Sequence, residues 1–477
     1  MGEKKKNKIE QLAVTEFSKR GNGLALLERS NSPAVLVEIP FTVPGDVILA
    51  KLLHKKGDRY KAELQEIITP SKDRVPARCV HFGYCGGCRY QQISYEHQLK
   101  LKESQVRNFF SDLLGPHVDF RPIAGCKEPW YYRNKMEYTF LTDINGEKHL
   151  GFIKEGSKGL VFDIQECHLA NKWFIDALKV VKKWWEDSNI VSYRKNKGTL
   201  QTLTLREGQH TNDRMVILSV SGSQEWALQA KQIDDLVARL KAALEPNGPT
   251  NQLSIILRIK QVEEGITTNV YDMLLYGPGF IRETLTIQVY EDVPSTKLEF
   301  HIGSSDFFQP NPKQTEKFYS MALNIAKIPK DAVVYDLYCG TGTLGLCISK
   351  FVKQVIGIEF WPESAANARN NAKRNHCNNV TIFSGAVRHT LHQLPEQKIP
   401  PPDVVMVNPP RSGLDPEALR HLLDLSPPKI LYVSCNPETQ AQNVIHLKEQ
   451  GYRLITVQPV DQFPQTSSIE CVCVLVK

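Results

Sequence analysis

The sequence predicts an α/β protein in three parts: a small N-terminal β-barrel, a central α+β domain, and a C-terminal doubly wound, mostly parallel sheet covered by helices. Three observations carry that reading. From about residue 301, apolar runs of strand length alternate with helical stretches, as in VVYDLYCG then TLGLCISKF, and QVIGIEF then ESAANARNNAKRN. One of these strand-to-helix junctions carries glycines at 340 and 342. Residues 9–70 hold instead short β-rich runs, such as AVLVEIPF and DVILAKLL, between the Gly and Pro punctuation of GNG and VPGD.

Length agrees, since 477 residues accommodate roughly three domains of about 150 residues each. Hydrophobic residues at 41%, charged residues at 23% and a mean hydropathy of -0.32 exclude wholesale disorder, collagen and a coiled-coil rod. No apolar run approaches the length of a membrane span. MGEKKKNKIE has charge but no apolar stretch behind it, so residues 1–8 read as a basic tail on a cytoplasmic protein without a membrane partner. A net charge of +7 and a pI near 8.7 permit a polyanionic partner without demonstrating one.

Residues 9–70 fit a five-stranded barrel of the OB type. Residues 71–90, SKDRVPARCVHFGYCGGCRY, are too rich in Cys and Gly for a regular element. The chain has 11 cysteines, an odd number without an export signal, which favours metal or catalytic uses over a disulfide framework. Cys79, Cys85 and Cys88 are spaced C-x5-C-x2-C, and Cys167 in DIQECHL is the candidate fourth ligand. Four thiolates hold zinc or an iron–sulfur cluster, and this spacing is neither a standard zinc ribbon nor a bacterial ferredoxin run. The bland alternative is a tight loop of reduced thiols. Residues 91–300 open on a charged helical stretch, YEHQLKLKESQVRNFFSDLL, and continue as strands such as TLQTLTLRE and RMVILSVSG around one strong helix.

In residues 301–477, YDLYCGTGTLGL places Asp336, Gly340 and Gly342 where a buried strand turns into a helix. A turn without side chains lets a ligand approach the backbone, and Glu359, ending the next strand, suits two ribose hydroxyls. The third glycine of a dinucleotide fingerprint is missing, and D-x-x-x-G-x-G is typical of S-adenosylmethionine enzymes. Cys435 in YVSCNPE follows another buried strand, either as a soft nucleophile or as a packed strand-end residue. In NPPR, residues 408–411, two prolines fix the loop and make Asn408 a preset hydrogen-bonding group. Glu470 opens the last apolar strand, as a solvated carboxylate or as a general base beside a pocket.

Assembled in this order, these residues resemble the RNA uracil C5 methyltransferases, in particular the branch with a TRAM domain and an iron–sulfur cluster that includes 23S rRNA (uracil-5-)-methyltransferases. The resemblance runs from about residue 9 to 477, through VPGD, SKDRVPARC, the CGGC loop, YYRNKMEY, DIQECHL, DFFQPN, DLYCGTGTLGL, GIE, NPPRSGL, YVSCNP and DQFPQTSSIE. It implies a class I S-adenosylmethionine-dependent methyltransferase with an OB-like TRAM barrel, acting on RNA as a monomer, on rRNA in preference to tRNA. It makes Cys435 the nucleophile, Glu470 the general base, and Phe307 the aromatic beside the target base. It places Gln309, Tyr338, Glu359 and Asn408 at the cofactor, along with Asp336, Gly340 and Thr343 of the glycine turn. It assigns Cys79, Cys85, Cys88 and Cys167 to a 4Fe-4S cluster.

The chain departs from the family pattern at four positions. Asn408 stands for the Asp of DPPR, Gln465 for the His of FPHT, Thr343 for Asn, and Ala386 for the acid or amide that meets the adenosine. Two other functions are open to the sequence. An amino-group methyltransferase would use NPP followed by an aromatic, where this chain has Arg411, and would not need Cys435. An RNA-binding protein without catalysis would not need Cys435 and Glu470 together. Residues 131–135, YYRNK, combine aromatic and basic groups suited either to RNA or to a half-buried strand.

Overall fold

Short β-branched segments divided by Gly and Pro turns close into a barrel of β1 (Ile9–Phe17), β2 (Gly23–Arg29), β3 (Ser32–Ile39), β4 (Val47–Lys56) and β5 (Arg59–Thr69), in the order β1-β2-β3-β5-β4. Alternate residues, such as Leu12 and Val14 or Ile48, Ala50 and Leu52, point inward and fill it. The VPGD turn fastens the barrel to the segment after β5. Asp46 accepts from the backbone N–H of Val43 at 2.7 Å and of Ser71 at 2.8 Å, and pairs with Arg74 at 2.5 Å. The computed structural model describes residues 8–477 apart from 30, 31, 246–250, 262–267, 291, 395 and 397, so nearly all of the expected basic tail lies outside the described residues.

After the cysteine loop come α1 (Tyr95–Phe109) and a two-residue strand, β6 (Asp119–Phe120). The central sheet then forms from β7 (Lys135–Thr142), β8 (Lys148–Ile153), β9 (Val161–Asp163), β10 (Leu200–Glu207), β11 (Arg214–Ser221), β12 (Leu253–Gln261) and β13 (Asn269–Tyr276), ordered β13-β12-β11-β10-β7-β8-β9. Two amphipathic helices, α2 (Trp173–Glu186) and α3 (Ala230–Leu244), bury Phe174, Trp184 and Trp185, and Leu236, Leu240 and Leu244, in its core.

A hairpin of β14 (Phe280–Ile287) and β15 (Thr296–Gly303) leads through α4 (Pro312–Ala326) into the alternating region: β16 (Val333–Leu337), α5 (Thr343–Ser349), β17 (Gln354–Glu359), α6 (Pro362–Arg374), β18 (Val380–Ser384), α7 (Val387–Gln393), β19 (Val404–Val407), α8 (Pro416–Leu425), β20 (Lys429–Ser434), α9 (Pro437–Glu449), β21 (Arg453–Val460) and β22 (Glu470–Val476). The sheet order is β18-β17-β16-β19-β20-β22-β21-β6. The ladders from β18 to β20 are parallel, and β22 runs against both its neighbours. Every residue of β16 and β19 is buried, as a strand covered by helices on both faces requires.

The parts do not divide where composition divides them. β6 pairs in parallel with β21, and Val106, Phe110 and Leu113 share a core with Leu337, Ile358 and Val457, so the region around α1 and β6 packs on the C-terminal sheet. The β14–β15 hairpin likewise buries Ile281, Leu285 and Phe300 with Phe318 and Val334. An amphipathic segment shows that it covers a sheet, but not which one. Among the described residues no helix is long and apolar enough to cross a membrane.

Candidate active site

The strand-to-helix turn after β16 runs through backbone that L-residues avoid, with φ 63° at Tyr338, 57° at Gly340 and 80° at Gly342, which caps α5. At Gly345, inside α5, an added Cβ would come within 2.8 Å of Asp336 Oδ2, the same oxygen that accepts the Gly345 N–H at 2.8 Å. Burial lifts the Asp336 carboxyl to about 7, and the nearby Glu359 charge adds to the shift. Glu359 ends β17 and holds the turn, its carboxylate accepting from the N–H groups of Gly340 and Trp361, each at 2.9 Å. Thr343 is buried in the first turn of α5, with its hydroxyl 3.0 Å from that of Thr341.

The DFFQPN loop is fastened on both sides of its aromatics. Asp306 accepts from Gly303 N–H and from Asn367 Nδ2, both at 2.7 Å, while Asn311 caps α4 and donates to Gln462 O at 3.2 Å. Between these anchors Phe307 stands 65% exposed. Gln309 is buried beside Tyr319, and among the described residues its Oε1 accepts no hydrogen bond.

Cys435 and Glu470 are brought to the same edge by the antiparallel ladder between β20 and β22. Its last pair is Ser434 with Cys471, and the next residues are Cys435 and Glu470. Because β22 runs in reverse, its first residue lies at the carboxyl edge of the parallel strands. Glu470 is 3% exposed, and burial lifts its carboxyl to about 8, with Arg411 opposing. The Cys435 thiol is raised by burial and by the Glu470 charge, while Arg411, hydrogen-bonded to it, pulls the other way.

Arg411 is the residue that sequence reasoning missed as a functional group. The signal was present in NPPR, where it is the only charge on a proline-fixed loop at this edge. Its carbonyl accepts from Asn436 Nδ2 at 2.9 Å and Thr439 Oγ1 at 3.3 Å, which ties the loop to the segment following Cys435. Asn408 follows β19 on the same edge, its N–H 3.4 Å from Leu337 O.

Cys79, Cys85, Cys88 and Cys167 line one cavity of about 590 Å³, with Arg133 and Phe307 also on its wall. The loop is joined to the Cys167 segment by His81, whose Nε2 accepts the Gln165 N–H at 2.9 Å. All four thiols are free, and burial raises Cys79 to about 11 and Cys88 to about 12. The donor set suits a four-thiolate centre, whereas no group of three or more His, Cys, Asp or Glu side chains among the described residues converges on a single metal position. In YYRNK, Tyr132 and Asn134 are buried, and Tyr131 stacks under Arg78 at 5.3 Å, so the segment is partly structural.

A family model described as tRNA (Uracil-5-)-methyltransferase matches residues 94–477. The chain belongs to that family. An uncharacterised RNA methyltransferase of Protochlamydia amoebophila is 48% identical over 441 residues, covering 92% of this chain and 99% of that protein. Another, from Staphylococcus epidermidis, is 33% identical over 477 residues, covering 99% and 98%. The crystal structure of Pyrococcus abyssi tRNA (uracil-54, C5)-methyltransferase with S-adenosyl-L-homocysteine superposes with a TM-score of 0.72 at 24% identity, covering 98% of this chain and all of that one. That likeness establishes the expected fold: a class I methyltransferase domain preceded by a small barrel and a central α/β part.

In this uracil-5-methyltransferase family member the three departures besides Asn408 have different settings. Ala386 caps α7 without a side-chain bond, and Thr343 is absorbed in its hydroxyl pair. Gln465 takes up backbone with φ 68° and is buried against α1.

Proposed function

We propose that this protein transfers a methyl group from S-adenosylmethionine to C5 of a uracil in RNA, through a covalent adduct at Cys435. The observation that carries the proposal is that the β20–β22 ladder, ending at Ser434 and Cys471, brings Cys435 and Glu470 to one carboxyl edge, close enough for the Glu470 charge to raise the Cys435 thiol. When bound, S-adenosylmethionine supplies an electrophilic sulfonium methyl. The Glu359 carboxylate, the open backbone at Gly340 and the Gln309 Oε1 acceptor fit such a nucleoside, with Asp336, Tyr338, Thr343 and Asn408 around them.

Uracil C5 is a poor nucleophile. Cys435 would change that by adding its thiolate to C6, which pushes the ring electrons into an enolate whose C5 takes the methyl group as the sulfonium–methyl bond breaks and S-adenosylhomocysteine leaves. Arg411 favours the thiolate by its charge. C5 then carries both methyl and hydrogen. Glu470 removes that proton, the C5–C6 double bond re-forms, and the thiolate leaves. Burial suits Glu470 to the task, because a carboxylate held in a dry site is a stronger base. Phe307, exposed on the DFFQPN loop, is the group proposed to stack on the target base. An amino-group methyltransferase would leave Cys435 and Glu470 without a task.

The N-terminal barrel and the cysteine loop favour 23S rRNA as the substrate, with Cys79, Cys85, Cys88 and Cys167 holding a structural 4Fe-4S cluster in a monomeric cytoplasmic enzyme. The tRNA named for the family and for the Pyrococcus enzyme supports the other substrate class. Nucleoside mass spectrometry of rRNA and tRNA fractions from a deletion strain decides between them. Loss of one 5-methyluridine from rRNA is expected, loss from tRNA alone would move the assignment, and no loss from either would refute the activity.

A further inference from the structure

The segment 461–469 leads from β21 into Glu470 and is gripped from outside its own sheet. Lys102 Nζ donates to Asp461 Oδ1 at 2.7 Å and to Phe463 O at 3.0 Å. Tyr95 OH donates to Asp461 Oδ2 at 2.9 Å, and Tyr132 OH to Pro464 O at 3.0 Å.

Gln465 is the point on which the remaining contacts converge. Its N–H donates to Gln98 Oε1 at 3.0 Å, and its Oε1 accepts from Gln98 Nε2 at 3.0 Å, a reciprocal pair between α1 and the loop. Its carbonyl accepts from the N–H groups of Arg89 at 2.8 Å and Tyr90 at 3.2 Å, the two residues directly after Cys88. Gln98 Nε2 is also shared with Tyr90 O at 3.0 Å and Ile93 O at 3.2 Å. Both glutamines are buried, at 1% and 3% exposure. The φ of 68° at Gln465 is unfavourable for a residue with a Cβ and persists only where surrounding bonds over-determine it.

We infer that Gln98 and Gln465 are positioning residues for Glu470. They fix the loop so that the carboxyl group enters β22 at the edge that carries Cys435, and they make that placement depend on the turn that follows Cys88. The inference rests on Glu470 being the base of the proposed reaction. Proton transfer needs its acceptor within hydrogen-bond reach of the reacting hydrogen, so a loosened loop slows that step more than the earlier addition.

The test uses the full-length enzyme with methyl-labelled S-adenosylmethionine and unmodified transcripts of 23S rRNA and tRNA, separating adduct formation from release. Gln465→Gly keeps the backbone conformation and loses the side-chain acceptor, Gln98→Leu loses the pair entirely, and Gln465→Glu keeps the acceptor. Gln465→Gly and Gln98→Leu are expected to form the methylated adduct at nearly the normal rate and release it about 10 to 100 times more slowly. A protein–RNA band should then persist on a denaturing gel, and Gln465→Glu should restore release. If Gln98→Leu does not fold, Gln465→Gly decides alone. Normal release in Gln465→Gly, or formation and release slowed equally, while Glu470→Gln traps the adduct, overturns the inference. Should Glu470→Gln trap nothing, the base assignment fails and the inference falls with it.

Discussion

Ser434 pairs with Cys471 at the end of the β20–β22 ladder, so the register of that ladder brings the next residues, Cys435 and Glu470, out at the same edge. The strand that carries Glu470 is the only one inserted in reverse between β20 and β21 among the described residues. Had β22 run parallel to β20, Glu470 would lie at the opposite edge of the sheet, away from the glycine turn.

Release of product should depend on pH through Glu470. Burial holds its carboxyl up at about 8, so it is protonated and unable to accept the C5 proton below that value. Single-turnover release is expected to climb about tenfold per pH unit below 8 and to level off above it. The Cys435 thiol is also raised, so the addition step rises with pH in the same sense. A release rate that is flat from pH 6 to pH 9 would contradict the assignment.

Glu359 should act on cofactor binding and not on chemistry. Its two oxygens hold the Gly340 and Trp361 N–H groups. Glu359→Gln removes the charge from these bonds, and a loss of about 1.5 kcal/mol corresponds to roughly a tenfold rise in KM for S-adenosylmethionine with kcat little changed. Calorimetric titration showing an unchanged Kd would contradict it.

Lys102 and Asp461 form an ion pair with both side chains at 0% exposure. Lys102→Met leaves the carboxylate buried and unpaired, at an expected cost of about 3 to 5 kcal/mol, whereas the double variant Lys102→Met with Asp461→Asn should recover much of that loss. Thermal unfolding of the single and double variants checks this, and equal loss in both would show that the pair itself is not the source.

The parts of the site that the sequence disclosed are those whose chemistry demands a local pattern. Asp336, Gly340 and Glu359 sit at the spacings expected where a nucleoside approaches bare backbone beside an acid, and the structure gathers them at one turn. What stayed hidden depends on distant partners. Gln98 and Lys102 lie on a charged helix where a solvated face is the ordinary reading, yet they are buried because the loop 461–469 offers them polar partners. β6 is too short to register as a strand, and its pairing with β21 sends its segment to the C-terminal sheet. Arg411 lies beside Cys435 only because β19 and β20 are neighbours in the sheet, a placement its own short motif does not encode.

The proposed cluster at Cys79, Cys85, Cys88 and Cys167 predicts a coloured protein. Purified without air, the chain should carry iron and sulfide at about four each, with visible charge-transfer absorption that Cys167→Ser removes or diminishes. Stoichiometric zinc in protein made with ample iron would contradict the cluster.

Trapping of the covalent intermediate tests the central claim most directly. Wild type, Cys435→Ala and Glu470→Gln are each incubated with methyl-labelled S-adenosylmethionine and substrate RNA, then run on a denaturing gel. Glu470→Gln is expected to hold label and RNA on the protein, Cys435→Ala to form no adduct and no product, and wild type to release 5-methyluridine. Methylation by Cys435→Ala at the wild-type rate, or label at any atom other than uracil C5, would contradict the mechanism.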